Sequence, residues 1–175
     1  MSSNPGKELV GVQSEAQTRA EEIERVYQQV CASYGRFLGL VAKADEEQDG
    51  LLLGYGGTAA MLAVRLRATR NVAVRMVNAA RGLRWCPQTR VALEEGLISP
   101  RHVSQILAGV RAVSHIPDGP QRAEEILLSL AVEQDPGAVR SAVAGIKQAL
   151  DPVTAARILT GSMTVTVCRA GKPPG

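Results

Sequence analysis

Aromatic side chains are nearly missing from this sequence. One Trp, one Phe and three Tyr make up 3% of its 175 residues, against a hydrophobic fraction of 45%. A core with so few rings must be built from Ala, Val, Leu and Ile. Ala and Leu favour helix, whereas a large sheet would draw on aromatic and β-branched residues. Histidine is scarcer still: His102 and His115 are the only two, with no acidic cluster spaced around them to complete a metal site. Cys31, Cys86 and Cys168 are odd in number and far apart, and no CxxC pair occurs. That excludes a disulfide framework and a zinc site. Cys86, between Trp85 and Pro87, reads as a buried structural thiol rather than a nucleophile. The start MSSNPGKELVG has no apolar signal segment. The longest uncharged run, residues 50–64, is shorter than the roughly 20 residues that a membrane helix needs. LLLGYGG at 51–57 is glycine-rich, but no Lys-Ser or Lys-Thr follows to make it a phosphate loop. These absences lead us to expect a cytoplasmic protein that is not an enzyme, with no cofactor, no metal and no membrane.

What is present is arginine, unevenly placed. The net charge is +3, but residues 51–113 hold nine arginines against two glutamates, a local balance of +7. Residues 1–50 hold five basic and nine acidic groups, a balance of −4, and the remainder is neutral. The basic middle contains no lysine. Arginine's planar fork suits bidentate contact with phosphate.

Hydrophobic spacing organises the chain into helices. Residues 1–13 read as a flexible tail. Ala16, Ala20, Ile23, Tyr27, Val30, Tyr34, Phe37 and Val41 then alternate at spacings of four and three, with Glu21, Glu22, Glu24 and Arg25 off the seam. This predicts one long helix over 14–44, weakened by Gly35 and Gly39. Two readings stand for it: a helix packed along its own domain, or a homodimer formed through residues 16–41. Thr58 is placed to cap the short helix TAAMLAVRLRA, and Thr69 a second helix to about Arg84. On the second, Ala73, Met76, Val77, Ala80 and Leu83 form one stripe. Asn71, Arg75 and Asn78 face the other way, with Arg70 and Arg81 towards one flank. The pair has a helix-turn-helix outline.

A second hairpin lies in ALEEGLISPRHVSQIL, residues 92–107. Pro87 starts its first helix and Gly96 ends it, and Ser99-Pro100 caps the next. Val103, Ile106, Leu107, Val110 and Val113 face inward. QRAEEILLSLAVE follows the turn PDGP, and Asp135-Pro136 and Asp151-Pro152 open two further helices. MTVTVC, at 163–168, alternates like a short C-terminal strand. The whole reads as an all-α multi-helix bundle of six or seven helices. A single helical domain spans 14–159, with the bundle proper at 58–159 and an irregular tail at 160–175.

Charge separates the two hairpins. Glu94 and Glu95 precede the turn of the second and would repel phosphate, whereas no acid occurs between Leu51 and Leu93. Residues 92–107 are therefore expected to fold the bundle. Contact with double-stranded DNA is expected to centre on Arg65, Arg67, Arg70, Asn71, Arg75, Asn78 and Arg81, with arginines on phosphates and the asparagines within reach of base edges.

GGTAAMLAVRL, AVRMVNAARGL, PQTRVALEEGLISPRHVSQIL, EEILLSLAVEQDPGAVR and ALDP occur in that order. The series resembles the actinobacterial domain of unknown function 222, the 13E12 repeat family, over roughly residues 20–152. The most specific part is Ala92 to His102, followed by Asp135-Pro136. The resemblance implies a helical domain of the kind usually found N-terminal to an HNH endonuclease domain. The His and Asn residues and Cys pairs of such a nuclease do not occur here, so the resemblance carries over a DNA-related context and not the cleavage. The expectation is a non-catalytic DNA-binding module. The alternative is a helical interaction or oligomerisation protein, or a truncated family copy without activity of its own.

Overall fold

The computed structural model describes residues 5–150, with side chains from residue 14 onward. Eight helices and no strand occur among the described residues: α1 (Pro5–Glu46), α2 (Asp49–Leu52), α3 (Thr58–Arg65), α4 (Arg70–Leu83), α5 (Pro87–Glu94), α6 (Pro100–Ala112), α7 (Gly119–Glu133) and α8 (Pro136–Leu150). The fold is all-α, as the composition requires. The single turn of α2, which runs into the glycine-rich segment 51–57, was not expected and brings the number above the six or seven anticipated. The chain reverses into it at Gln48, whose φ is 56°. The expected tail over residues 1–13 is helical from Pro5 on. Proline suits that first helical position because an N–H there would have no intrahelical acceptor. The helix expected after Asp151-Pro152, the strand at 163–168 and the tail at 160–175 lie outside the described residues.

The centre of the bundle is α6. It packs most closely against α7 and α8 and also touches α1, α4 and α5. Val103, Ile106 and Val110 are buried on it, and Val113 just beyond it, as the inward stripe predicts. Leu38, Leu93, Ile98, Ile106 and Leu127 are the largest fully buried side chains, so the interior is indeed aliphatic. Leu93, Ile98, Val103 and Ile106 all belong to the 92–107 hairpin, which is core-forming as expected.

Two glycines let α1 cross this hairpin backbone to backbone. Gly96 has φ 78°, and a Cβ there would lie 2.5 Å from the Gln28 carbonyl oxygen. A Cβ on Gly35 would lie 3.0 Å from the Glu94 backbone. Gly35 is thus the docking point of α1 rather than a weakness in it. The heptad seam divides near this crossing. Every side chain from residue 14 to 30 is exposed, whereas Cys31, Leu38 and Val41 are buried and Tyr34 and Phe37 half-buried. A helix packed along its own domain therefore describes only the half after Cys31.

Helix starts follow the sequence signals with one correction. Thr69 Oγ1 accepts from Val72 N–H at 3.4 Å, and Asp135 Oδ1 accepts from Gly137 N–H at 2.6 Å and Ala138 N–H at 3.3 Å. Thr58 does not cap α3: it is the first helical residue, buried, behind an uncapped Gly57. Ser99 makes a full capping box with His102. Its Oγ accepts from His102 N–H at 3.4 Å, and His102 Nδ1 accepts from Ser99 N–H at 3.1 Å. Histidine here fills the place usually taken by Glu or Gln. Its Nε2 lies 3.0 Å from the Gln134 carbonyl oxygen, an acceptor only, so Nε2 carries the hydrogen and donates. One ring thereby joins the start of α6 to the end of α7.

Ser99→Ala removes the acceptor of a first-turn amide and should lower stability by about 0.5–2 kcal/mol. A melting curve identical to that of the wild type would show that the cap does not hold α6.

Candidate nucleic-acid interface

The α3–α4 hairpin turns through residues 66–69. Leu66 N–H bonds to Leu62 O, Arg67 adopts φ 51°, Ala68 N–H bonds to Ala63 O, and Thr69 then starts α4. The inner stripe of α4 is buried at Ala73, Val77, Ala80 and Leu83, with Met76 half-buried. That anchoring leaves Arg70, Asn71, Arg75, Asn78 and Arg81 exposed, with Arg65 at the end of α3 and Arg67 in the turn also exposed. All seven residues expected at a DNA contact are therefore accessible on one hairpin.

They are not equivalent. Arg81 donates from Nε to Asp45 Oδ2 at 2.7 Å and from Nη2 to Asp45 Oδ1 at 2.9 Å, a forked pair between α4 and α1. Arg84 beside it donates to the Ala42 carbonyl at 2.7 Å and approaches Glu46 at 3.3 Å. The arginines near the C-terminal end of α4 thus fasten it to α1. Arg65, Arg67, Arg70 and Arg75 have no carboxylate within ion-pairing distance among the described residues. The sequence could not separate Arg81 from these four, because its partner lies 36 positions away.

The hydrogen bond from Arg81 holds the Asp45 carboxyl below the ordinary carboxylate range; the charges of Arg81 and Arg84 and a bond from Thr58 act in the same direction, against partial burial. A carboxylate with a lowered folded pKa contributes stability that is complete above its unfolded value. That contribution is lost as pH falls through the folded one.

Arg101, on the other hairpin, is exposed and shares a shallow groove between α4 and α6 with Arg75, Met76 and Ser104. The two hairpins therefore meet at one surface, which spacing alone did not reveal. Glu94 is half-buried and accepts from Arg90 at 3.2 Å. No group of three potential metal ligands occurs among the described residues. Burial, and secondly the charge of Glu124, push the Cys86 thiol up to about 12, so it stays protonated near neutrality. No helix among the described residues is long and apolar enough to cross a membrane. Two features escaped the sequence reading. Glu124 is buried against Thr89, and Trp85 stands almost fully in solvent. A glutamate within an amphipathic helix and a Trp before a cysteine carried no signal of either position.

The molecule is thus an all-helical bundle that displays an arginine- and asparagine-bearing hairpin. The chain belongs to the family described as domain of unknown function DUF222, whose pattern matches residues 17–159. No curated protein and no solved structure matches it.

Asp45→Asn should flatten the stability of the protein across acid pH. The wild type should lose stability as pH falls below about 3.8, and the variant should lack that component. Parallel acid-unfolding curves for the two would show that the Asp45–Arg81 pair does not contribute.

Proposed function

We propose that this chain is a non-catalytic module that binds double-stranded DNA through the α3–α4 hairpin. The observation that carries the reading is the group of four arginines, Arg65, Arg67, Arg70 and Arg75, that meet no carboxylate among the described residues, beside Asn71 and Asn78 on an exposed, well-anchored hairpin. In this reading the arginines neutralise phosphates and set the register of α4 in the major groove. Asn71 and Asn78 can then offer paired donor and acceptor groups to an adenine edge. Arg81 takes no direct part and holds α4 in place through Asp45. The family context suggested by the sequence, a helical domain beside a nuclease, agrees with a DNA-related role. Two reactive side chains have structural duties, which favours the non-catalytic reading: His102 caps α6, and the Cys86 thiol is buried.

Binding to a short duplex should weaken steeply with salt. Arg70→Ala/Arg75→Ala should weaken it further and reduce the salt slope by about one for each phosphate that is no longer neutralised. Arg81→Ala should alter stability and leave the slope unchanged. No duplex binding even at low salt would overturn the reading.

A second reading is supported by a separate observation. Ile23 is 69% exposed, and Tyr27 and Val30 are each 58% exposed, within residues 14–30 of α1, whose side chains are all exposed. Contiguous apolar exposure on a helix with a heptad seam suits association with a second copy. Ile23→Asp with Val30→Asp should convert dimers to monomers in sedimentation analysis while the helical content measured by circular dichroism is retained. A wild type that is monomeric at high concentration would remove this reading.

A further inference from the structure

A concave site of about 560 Å³ lies at the far end of α4, between α4, α6 and the start of α7. Leu107, Val110 and the buried Cys86 supply apolar lining. Asn78, Gln121 and Ser114 add side-chain amide and hydroxyl groups, and Arg81 and Arg111 add charge. Arg81 is held by Asp45, whereas Arg111 has no carboxylate partner among the described residues. Trp85 also lines the groove and is 81% exposed. It is the only Trp of the chain. A large ring left in water at the edge of a concave site lacks the burial that normally accounts for Trp.

We propose that this groove takes an unpaired base of DNA, stacked on Trp85, with Arg111 on the adjoining phosphate. A ring in solvent offers a π-face to any base, and the neighbouring Arg111 guanidinium supplies the complementary charge for the backbone. Gln121 carries both donors and an acceptor, which suits the edge of a base freed from its pairing partner. The site is also continuous with the DNA face: Asn78 belongs to the α4 surface and to the groove lining. An apolar peptide would leave Arg111 without a partner. This inference rests on the DNA-binding reading and extends it: the hairpin holds the duplex, and the groove holds a base that has left it.

The test uses the full chain, with Trp85 as its own reporter. Three probes are titrated at low salt: an oligothymidine, a fully paired duplex, and the same duplex carrying one unpaired thymine. Oligothymidine and the bulged duplex should quench the Trp85 fluorescence, and the paired duplex should not. Followed by anisotropy of labelled DNA, Trp85→Ala should weaken oligothymidine binding by about tenfold or more, since stacking contributes that much per base. Binding of the paired duplex should be unchanged. Trp85→Phe should retain most of the affinity for oligothymidine. The groove assignment is overturned if oligothymidine leaves the fluorescence unmoved, or if Trp85→Ala affects all three probes equally. It is also overturned if that variant loses self-association instead, which would make a second copy the occupant. If the paired duplex still binds with an Arg70- and Arg75-dependent salt slope, the hairpin reading survives that failure. If no probe binds, both fall together.

Discussion

A buried carboxylate holds a short helix that touches four of its neighbours, the central α6 among them. Glu124, on α7, is only 4% exposed. It accepts from Thr89 N–H at 2.7 Å and from Thr89 Oγ1 at 2.9 Å. Thr89 lies in the first turn of α5, whose own N-cap residue, Cys86, provides no side-chain acceptor. Glu124 therefore acts as the missing cap from another helix. An anion is favoured at that end, where unpaired amides and the helix dipole both point towards it. Burial of a charge is costly unless such partners are present, so the arrangement admits few alternatives. Around α5 stand α1, α4, α6 and α7, all in contact with its eight residues. Its start is tied to α7 by Glu124, and its end meets α1 where Gly35 and Gly96 allow close approach.

The same logic divides the arginines of the basic middle. Those that face α1 meet Asp45, Glu46 or the Ala42 carbonyl and become structural fasteners. Those at the other end of α4 and on α3 meet no carboxylate among the described residues and remain available to an external anion. A local charge of +7 is therefore an upper bound on what a polyanion can use. The acidic surplus of residues 1–50 is partly the internal counterpart of that charge. The anchoring pairs also set the angle at which α4 is presented, because a forked Arg–carboxylate contact constrains orientation as well as distance.

Helix boundaries were legible where a local chemical signal marks them. Ser99-Pro100, Asp135-Pro136 and Thr69 act within three residues of themselves, and each begins a helix as its type suggests. Thr58 was misread because capping depends on which residue is the last non-helical one. Gly57 takes that place, and the threonine is drawn into the interior near Asp45. The seam of α1 was legible as a stripe but not as to what covers it. Periodicity reports that one face is apolar; it does not report how far a neighbouring helix extends along that face.

The sequence by itself determined the class of structure and the position of most of its joints. With few aromatics and abundant Ala and Leu, periodic spacing and strong caps leave little alternative to a helical bundle. It also determined that the arginines concentrate in one segment and that residues 92–107 belong to the core. Only the tertiary structure decided which arginines meet no carboxylate among the described residues, that residues 14–30 of α1 are exposed, and that Trp85 stands over a groove shared by three helices. The reason is the range of the interactions. Caps and stripes act over one or two turns of helix, whereas the Arg81–Asp45 and Thr89–Glu124 contacts join residues 36 and 35 positions apart. Partners at that separation exist only once the helices have packed.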